Sequence, residues 1–281
     1  MEQESHAIAL WDQSGITVVP VAALGVLMLG PGSTVTHAAV RTLVENGCSI
    51  VWLGEQGVRC YAQGTGETRS ARHILRQSEL LMDEAAHLEV VWRMYEYRFG
   101  YRLDEDLTLN QIRGKEGVRM RDAYAAEAER TGVTWQGRRY DQKRWDWGDP
   151  LNRALSVANS CLNGICHAAI VSGGYSTALG FIHTGRQLSF VYDIADLYKT
   201  EITIPLAFET VAESPESLES RVRLACRDRF RQTRLLSRIL PDIDQLLQVP
   251  SEETEDERRS DATGEFDLRL WERLFDDVRR S

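Results

Sequence analysis

Residues 63–99 read QGTGETRSARHILRQSELLMDEAAHLEVVWRMYEYRF, and the change of period inside them decides the fold. Gln63 to Ser70 is polar and glycine-bearing, the composition of a hinge. From Ala71 onward Ile74, Leu81, Met82, Leu88, Val91, Met94, Tyr95 and Phe99 recur at three- and four-residue spacings, which predicts one long amphipathic helix. Upstream, Gly15–Val21, Val26–Leu29, Ser49–Leu53 and Val58–Ala62 are β-branched or alternating and punctuated by Pro, Gly and Asn, so they predict short strands. His37–Glu45 is the one helical interruption. Downstream the chain predicts helix as far as Leu247, with short extended pieces around Gly180–Ile182 and Leu188–Tyr192. Residues 250–265, PSEETEDERRSDATGE, hold too little apolar surface to order themselves and read as an acidic linker. Trp271, Leu274, Phe275 and Val278 then line one side of a last amphipathic segment. The expectation is an α+β chain: a small N-terminal β-strand domain over 1–70, a larger, mostly α-helical domain over 71–249, and an acidic linker with an amphipathic tail over 250–281.

With 281 residues the chain can bury a full core and can divide into a small and a larger domain. Hydrophobic residues make up 43% and charged ones 27%, which excludes a disordered chain. The apolar run Val18–Leu29 is broken by Pro20 and Gly25 and too short to span a bilayer, and no basic segment precedes it, so neither membrane insertion nor secretion is expected. Cys48, Cys60, Cys161, Cys166 and Cys226 form an odd set with no C-x-x-C pair, the pattern of buried thiols in a reducing cytoplasm. A net charge of −9 argues against a nucleic-acid partner until its distribution is considered. Residues 251–281 carry eleven acidic and six basic side chains and so account for −5 of it. Residues 221–238 carry seven arginines against one aspartate, and residues 113–144 nine basic against five acidic groups, enough for a basic track on an acidic protein.

Glu116 is the first anomaly. Leu109, Ile112, Met120 and Ala123 recur around it at helical spacing, so a carboxylate occupies a slot of the apolar stripe, which is unfavourable unless something pairs with it. An ion pair with Arg113 or Arg119 would serve; so would a metal ion. His183 ends one apolar run ahead of a Thr-Gly turn, where it is either structural or aimed at a cleft. Asp193 and Asp196 follow a second apolar run three residues apart, and a helix starting there places both on one face. Asp193 can also be read as the N-cap of that helix; Asp196 cannot. One imidazole with two or three carboxylates suits Mg²⁺ or Mn²⁺ better than zinc, and such an ion serves phosphoryl transfer. The stretch Trp135-Gln-Gly-Arg-Arg-Tyr-Asp-Gln-Lys-Arg-Trp-Asp-Trp147 interleaves aromatics with cations, as a stacking surface for unpaired bases does. Tryptophans plugging the helical core are the equal alternative.

Five stretches in chain order, P-G-S-T-V-T-H-A-A-V-R from Pro31, R-G-K-E-G-V-R from Arg113, V-T-W-Q-G-R-R-Y-D from Val133, G-F-I-H-T-G-R-Q-L-S-F-V-Y-D-I-A-D from Gly180 and V-R-L-A-C-R-D from Val222, resemble the CRISPR-associated spacer-acquisition integrase family, Cas protein one, in its type I-E form. The resemblance implies an N-terminal β-domain and a helical catalytic domain in which Glu116, His183 and Asp196 hold the catalytic Mg²⁺ or Mn²⁺, with Asp193 a supporting acid. It implies a cytoplasmic homodimer, two dimers bridged by the second CRISPR adaptation protein (Cas protein two), that binds a short duplex with splayed 3′ ends and joins its 3′-hydroxyls to the CRISPR repeat. Tyr140 and Trp145 fall at aromatic positions the family places near the fork and the motif-reading pocket. Arg41, Arg59, Arg113, Arg121, Arg138 and Arg223 fall on its DNA track, with Arg186 beside the His-Thr-Gly turn. Two departures stand out: Asn163 replaces a family aromatic near the fork, and the tail is acidic where a family member has a proline-rich one. Two other functions use the same residues differently: a metal-dependent nuclease that only cleaves branched DNA, and a DNA-binding scaffold whose metal site has decayed.

Overall fold

A computed structural model of the chain describes residues 1–4, 7–12, 15–54, 60–64, 71–137 and 149–250. The first sixty residues build two small sheets. In one, β1 (Glu2–Glu4), β2 (Ala7–Asp12) and β3 (Gly15–Pro20) run antiparallel. In the other, β4 (Val26–Leu29) lies parallel to β5 (Ser49–Leu53), and β5 pairs antiparallel with β6 (Cys60–Gly64). A parallel pair needs a crossover, and α1 (His37–Glu45) supplies it, started by the Thr36 side chain capping Ala39 N–H. Ile8, Val21, Leu29, Ala39, Leu43, Cys48 and Ile50 close this region's core from both sheets and the helix.

The expected single helix from Ala71 to Phe99 is two, α2 (Arg72–Met82) and α3 (Glu84–Phe99). Asp83 breaks them: its extended backbone ends α2, and its carboxylate accepts Ala86 N–H to begin α3. Apolar spacing continues across the break, which is why the period alone did not reveal it. Gly100, in the left-handed conformation with φ 75°, terminates α3. A Thr108–Gln111 capping box starts α4 (Leu109–Thr131).

Helix α5 (Pro150–Ser172) is the axis of the helical region, with 15 of its 23 residues buried. It packs on α7 (Ile204–Glu213) and α8 (Leu218–Gln232) through Leu151, Leu155, Phe208, Val222 and Cys226. Its mean hydropathy of 1.4 makes it long and apolar enough to cross a membrane by length and composition, unlike the Val18–Leu29 run, but 72% of that window is buried in the fold. An all-round apolar helix of this kind is a core helix. Helix α9 (Leu235–Leu247) completes the bundle, and the Arg76 and Arg93 guanidiniums cap its last carbonyls, those of Leu247 and Leu246, at 3.1 and 2.7 Å.

The expected boundary at residue 70 falls outside the described residues. Met1–Leu247 form one compact unit and Gln248–Ser281 a second, and of the latter only 248–250 are described, so the acidic linker and Trp271–Val278 lie outside them. Cys48, Cys161, Cys166 and Cys226 are buried free thiols.

Candidate metal centre

The expected extended pieces around Gly180–Ile182 and Leu188–Tyr192 are not strands. Residues 180–188 are irregular, and α6 (Ser189–Asp196) begins inside the second piece. The β-branched and aromatic run reads as strand locally, but Phe190, Val191, Ile194 and Ala195 meet the core at helical spacing, and burial overrides propensity.

This start corrects the N-cap reading of Asp193, which stands four residues inside the helix. Its carboxylate, 0% exposed, turns back onto the preceding loop. Oδ2 accepts the N–H groups of Phe181 and Ile182 at 2.6 and 3.0 Å, and Oδ1 accepts His183 N–H at 2.8 Å. These are the donors a neighbouring strand would have taken. Oδ1 also meets the His183 ring at Nδ1, 2.7 Å away. A carboxylate accepts only, so Nδ1 carries the proton and Nε2 is left as the nitrogen with a ligating lone pair. The ring is 43% exposed and stands edge-on to Tyr192 at 5.9 Å.

Glu116 lies on α4 in the ion pair anticipated with Arg119, a two-pronged contact of 2.7 Å to Nε and 3.0 Å to Nη2. Arg119 also donates to Thr200 Oγ1 at 3.1 Å, which ties α4 to the π-helical turn Lys199–Thr203 that follows α6. Asp196, the last residue of α6, is in contact with the Lys199 ammonium. Oδ1 of Asp196 is buried and makes no well-directed hydrogen bond. Burial pushes the Asp196 carboxyl up, but Lys199, Arg98 and His183 outweigh it and hold the group below the usual carboxylate range.

The sequence reading did not single out Arg98, and this residue joins the two acids. Its side chain, 4% exposed on α3, sets Nη1 3.7 Å from Glu116 Oε1 and Nη2 3.5 Å from Asp196 Oδ2, and Nη2 also reaches the Asp193 carbonyl at 3.5 Å. The guanidinium lies 5.4 Å from the Tyr95 ring centre, and its Nε has no hydrogen-bond partner. The signal was available: Val91, Met94 and Tyr95 place residue 98 in the apolar stripe of α3, as the neighbours of Glu116 do on α4. Lys199, one helical turn after Asp196, was missed as well.

A histidine and two carboxylates from three separate segments are the donor chemistry of a hard divalent ion, and the two carboxylates stand around one buried cation. In the arrangement present, that cation is a guanidinium. Among the described residues no three His, Cys, Asp or Glu side chains are gathered closely enough to hold a metal.

Of the expected DNA-track residues, Arg41 on α1 and Arg113 and Arg121 on α4 are exposed; Arg41 pairs with Glu45 at 3.7 Å and Arg121 with Asp122 at 3.5 Å. Arg186 is exposed on the loop after His183. Arg223 on α8 is half-buried with its Nε unpartnered. Asn163, where a family aromatic was expected, is half-buried on α5. Arg59, Arg138, Tyr140 and Trp145 lie outside the described residues. Trp135 does plug the core: it stacks on Tyr124 at 4.4 Å and 12° and leans on Phe208.

Comparison with known proteins finds relatives over most of the chain. The family described as CRISPR associated protein Cas1 matches residues 93–214, the stretch from α3 to the end of α7 that holds Arg98, Glu116, His183, Asp193, Asp196 and Lys199. The CRISPR-associated endonuclease Cas1 2 of Thermus thermophilus is 56% identical over 256 residues, 90% of this chain and 79% of the relative. The CRISPR-associated endonuclease Cas1 of Escherichia coli is 46% identical over 242 residues, 86% of this chain and 79% of the relative. The crystal structure of the TtCas1-DNA complex matches with a TM-score of 0.80 at 56% identity, over 88% of this chain and 92% of that one.

Proposed function

The chain belongs to the CRISPR associated protein Cas1 family, and on that footing we propose that it is a divalent-metal-dependent DNA endonuclease and integrase of CRISPR adaptation, of the type I-E form, working in the cytoplasm. Glu116, His183 and Asp196 bind Mg²⁺ or Mn²⁺, and Asp193 fixes the tautomer and direction of the His183 ring. The observation that carries this reading is the sharing of one buried cation by Glu116 and Asp196, carboxylates of two different helices, in a stretch where His183 is aimed by its own dedicated acid.

The reaction is a transesterification. A prespacer 3′-hydroxyl oxygen forms a bond to the target phosphorus as the bond to the departing strand oxygen breaks, so one phosphodiester replaces another and no covalent enzyme intermediate is needed. When bound, the ion stabilises charge on the phosphoryl oxygens. The chain's own residues orient and neutralise: Arg119 and Lys199, both partly exposed, are the cations that would turn to a phosphate. Arg41, Arg59, Arg113, Arg121, Arg138, Arg186 and Arg223 track the backbone of a short duplex with splayed 3′ ends, and Tyr140 and Trp145 serve its fork and the motif-reading pocket. The partners are the CRISPR repeat, a second copy of this chain, and Cas protein two bridging two dimers. The names of the relatives and the DNA-bound structure similar to this chain support the reading.

A gel assay with a 3′-hydroxyl donor duplex, a supercoiled repeat-bearing target and Mn²⁺ tests it. Joined product is expected from the wild type and none from His183→Ala, with duplex binding retained by both. Joining by His183→Ala at the wild-type rate would sink the assignment, and cleavage without joining would leave a nuclease.

A further inference from the structure

The metal centre is electrically complete without a metal. Glu116, Asp193 and Asp196 bring three formal negative charges and Arg98, Arg119 and Lys199 three positive ones. Glu116 and Asp196 face these cations with their carboxylates, while Arg98 reaches Asp193 only at its main-chain carbonyl and the Asp193 carboxylate faces the His183 loop. Arg98 is the central member, buried and shared between α4 and α6. Its contacts to the two carboxylates, at 3.5 and 3.7 Å, are longer than charged hydrogen bonds, and its Nε is unpartnered. The site therefore holds it as a counter-ion placed between two acids and not as one locked by directed bonds.

A divalent ion entering this balanced cluster adds two uncompensated positive charges in a partly buried place, and it must take carboxylate oxygens away from the cations now on them. Both effects oppose binding. A DNA phosphate reverses both: it supplies negative charge beside the ion, and it gives Arg119 and Lys199, at 21% and 28% exposure, an acceptor to turn to when they release their carboxylates.

We propose that Arg98, Arg119 and Lys199 form a cation clamp that makes divalent-metal binding conditional on a DNA phosphate in the site, so that metal and DNA bind with positive coupling. This rests on the metal reading proposed above and adds its regulation: the centre assembles only when a phosphate is seated beside it. By linkage the same factor must appear in both directions, Mn²⁺ tightening DNA as much as DNA tightens Mn²⁺.

The test is the affinity of the full chain for Mn²⁺, followed by the electron paramagnetic resonance signal of the free ion, without DNA and with a saturating short duplex with splayed ends, after subtracting Mn²⁺ bound by the duplex alone. The wild type is expected to bind Mn²⁺ roughly tenfold or more tightly with DNA, within the range of ordinary allosteric coupling. Lys199→Met and Arg98→Met are each expected to tighten Mn²⁺ binding by the DNA-free protein and to shrink the DNA effect. Lys199 is at the rim, so its variant keeps the test decisive where Arg98→Met fails to fold. Equal wild-type affinity with and without DNA overturns the clamp, as does a DNA-free Lys199→Met no tighter than wild type. His183→Ala is the separate control: if the wild type binds Mn²⁺ and this variant binds it equally well, the ligand assignment falls, whatever the coupling.

Discussion

Asp193 and His183 are joined twice through one oxygen, since Oδ1 of Asp193 accepts the main-chain N–H of His183 at 2.8 Å and meets its ring Nδ1 at 2.7 Å. One carboxylate thus fixes where the histidine's backbone lies and which way its ring points. Asp193→Ala removes the acceptor of three N–H groups at once. At about 1–3 kcal/mol for each buried donor left unpaired, and less for the two with partial access to water, the loss of stability is roughly 3 kcal/mol. Urea denaturation of the two proteins measures it, and a difference under about 1 kcal/mol would contradict the role drawn for this acid.

Gly180 allows the same loop to close. A Cβ there would strike the His183 carbonyl oxygen and lie 2.8 Å from the carbonyl carbon of Ser189, both of them backbone atoms that cannot swing aside. Gly180→Ala must push the His183 turn away from the start of α6. Reduced thermal stability and slower strand joining are expected together, with DNA affinity changed less, because Arg186 alone of the proposed track arginines lies on this loop. A variant with wild-type melting temperature and joining rate would show that the loop has slack the structure lacks.

Strands β3, β4 and β5 and helix α1 were legible because each is local, specified by its own spacing and β-branching within a few residues, whereas β1 and β2 were not anticipated and β6 is shifted by two residues. The break at Asp83 was not, because the apolar spacing runs through it and only the aspartate's capping bond marks it. Helix α6 was hidden for the opposite reason, its Leu-Ser-Phe-Val-Tyr run favouring strand until the core decides otherwise. For the candidate site, Glu116 declared itself as a charge in an apolar stripe, and Arg98 obeys the same rule on α3. That these two meet, and that Asp196 completes the set, depends on how α3, α4 and α6 pack. No spacing along the chain encodes that.

The acid-side stability should carry the signature of Asp196. Its carboxyl is held below the usual range by Lys199 and Arg98 against the opposing effect of burial, so its folded value lies beneath the unfolded value of about 3.9. A depressed carboxyl contributes stability that is fully present above the unfolded value and is lost as pH falls through the folded one. Wild type should therefore lose stability below about pH 4 more steeply than Asp196→Asn, the two running parallel above it. Urea midpoints taken across that window decide the matter, and parallel curves throughout would mean that Asp196 does not gain from its cations.

Gln77 ties α2 to the loop that leads into the site, and it does so with every polar atom it has to offer. The amide is fully buried; its oxygen accepts Ser176 N–H at 2.8 Å, and its nitrogen donates to the carbonyls of Ser176 and Leu179 at 3.0 and 2.8 Å. Gln77→Met keeps the shape and abolishes all three bonds, so any effect belongs to hydrogen bonding and not to a cavity. Orphaning one donor and two acceptors should cost about 2–3 kcal/mol, at the lower end because carbonyls tolerate the loss better than N–H groups do. Part of that penalty should appear as motion, since residues 176–179 lead straight to Gly180 and the N–H groups that Asp193 holds. Amide hydrogen exchange at Ser176 should quicken in Gln77→Met, and exchange at Phe181 should quicken less, because Asp193 retains it from α6. If Phe181 is affected as much as Ser176, the two anchors are not independent, and the His183 loop depends on α2 as fully as on α6.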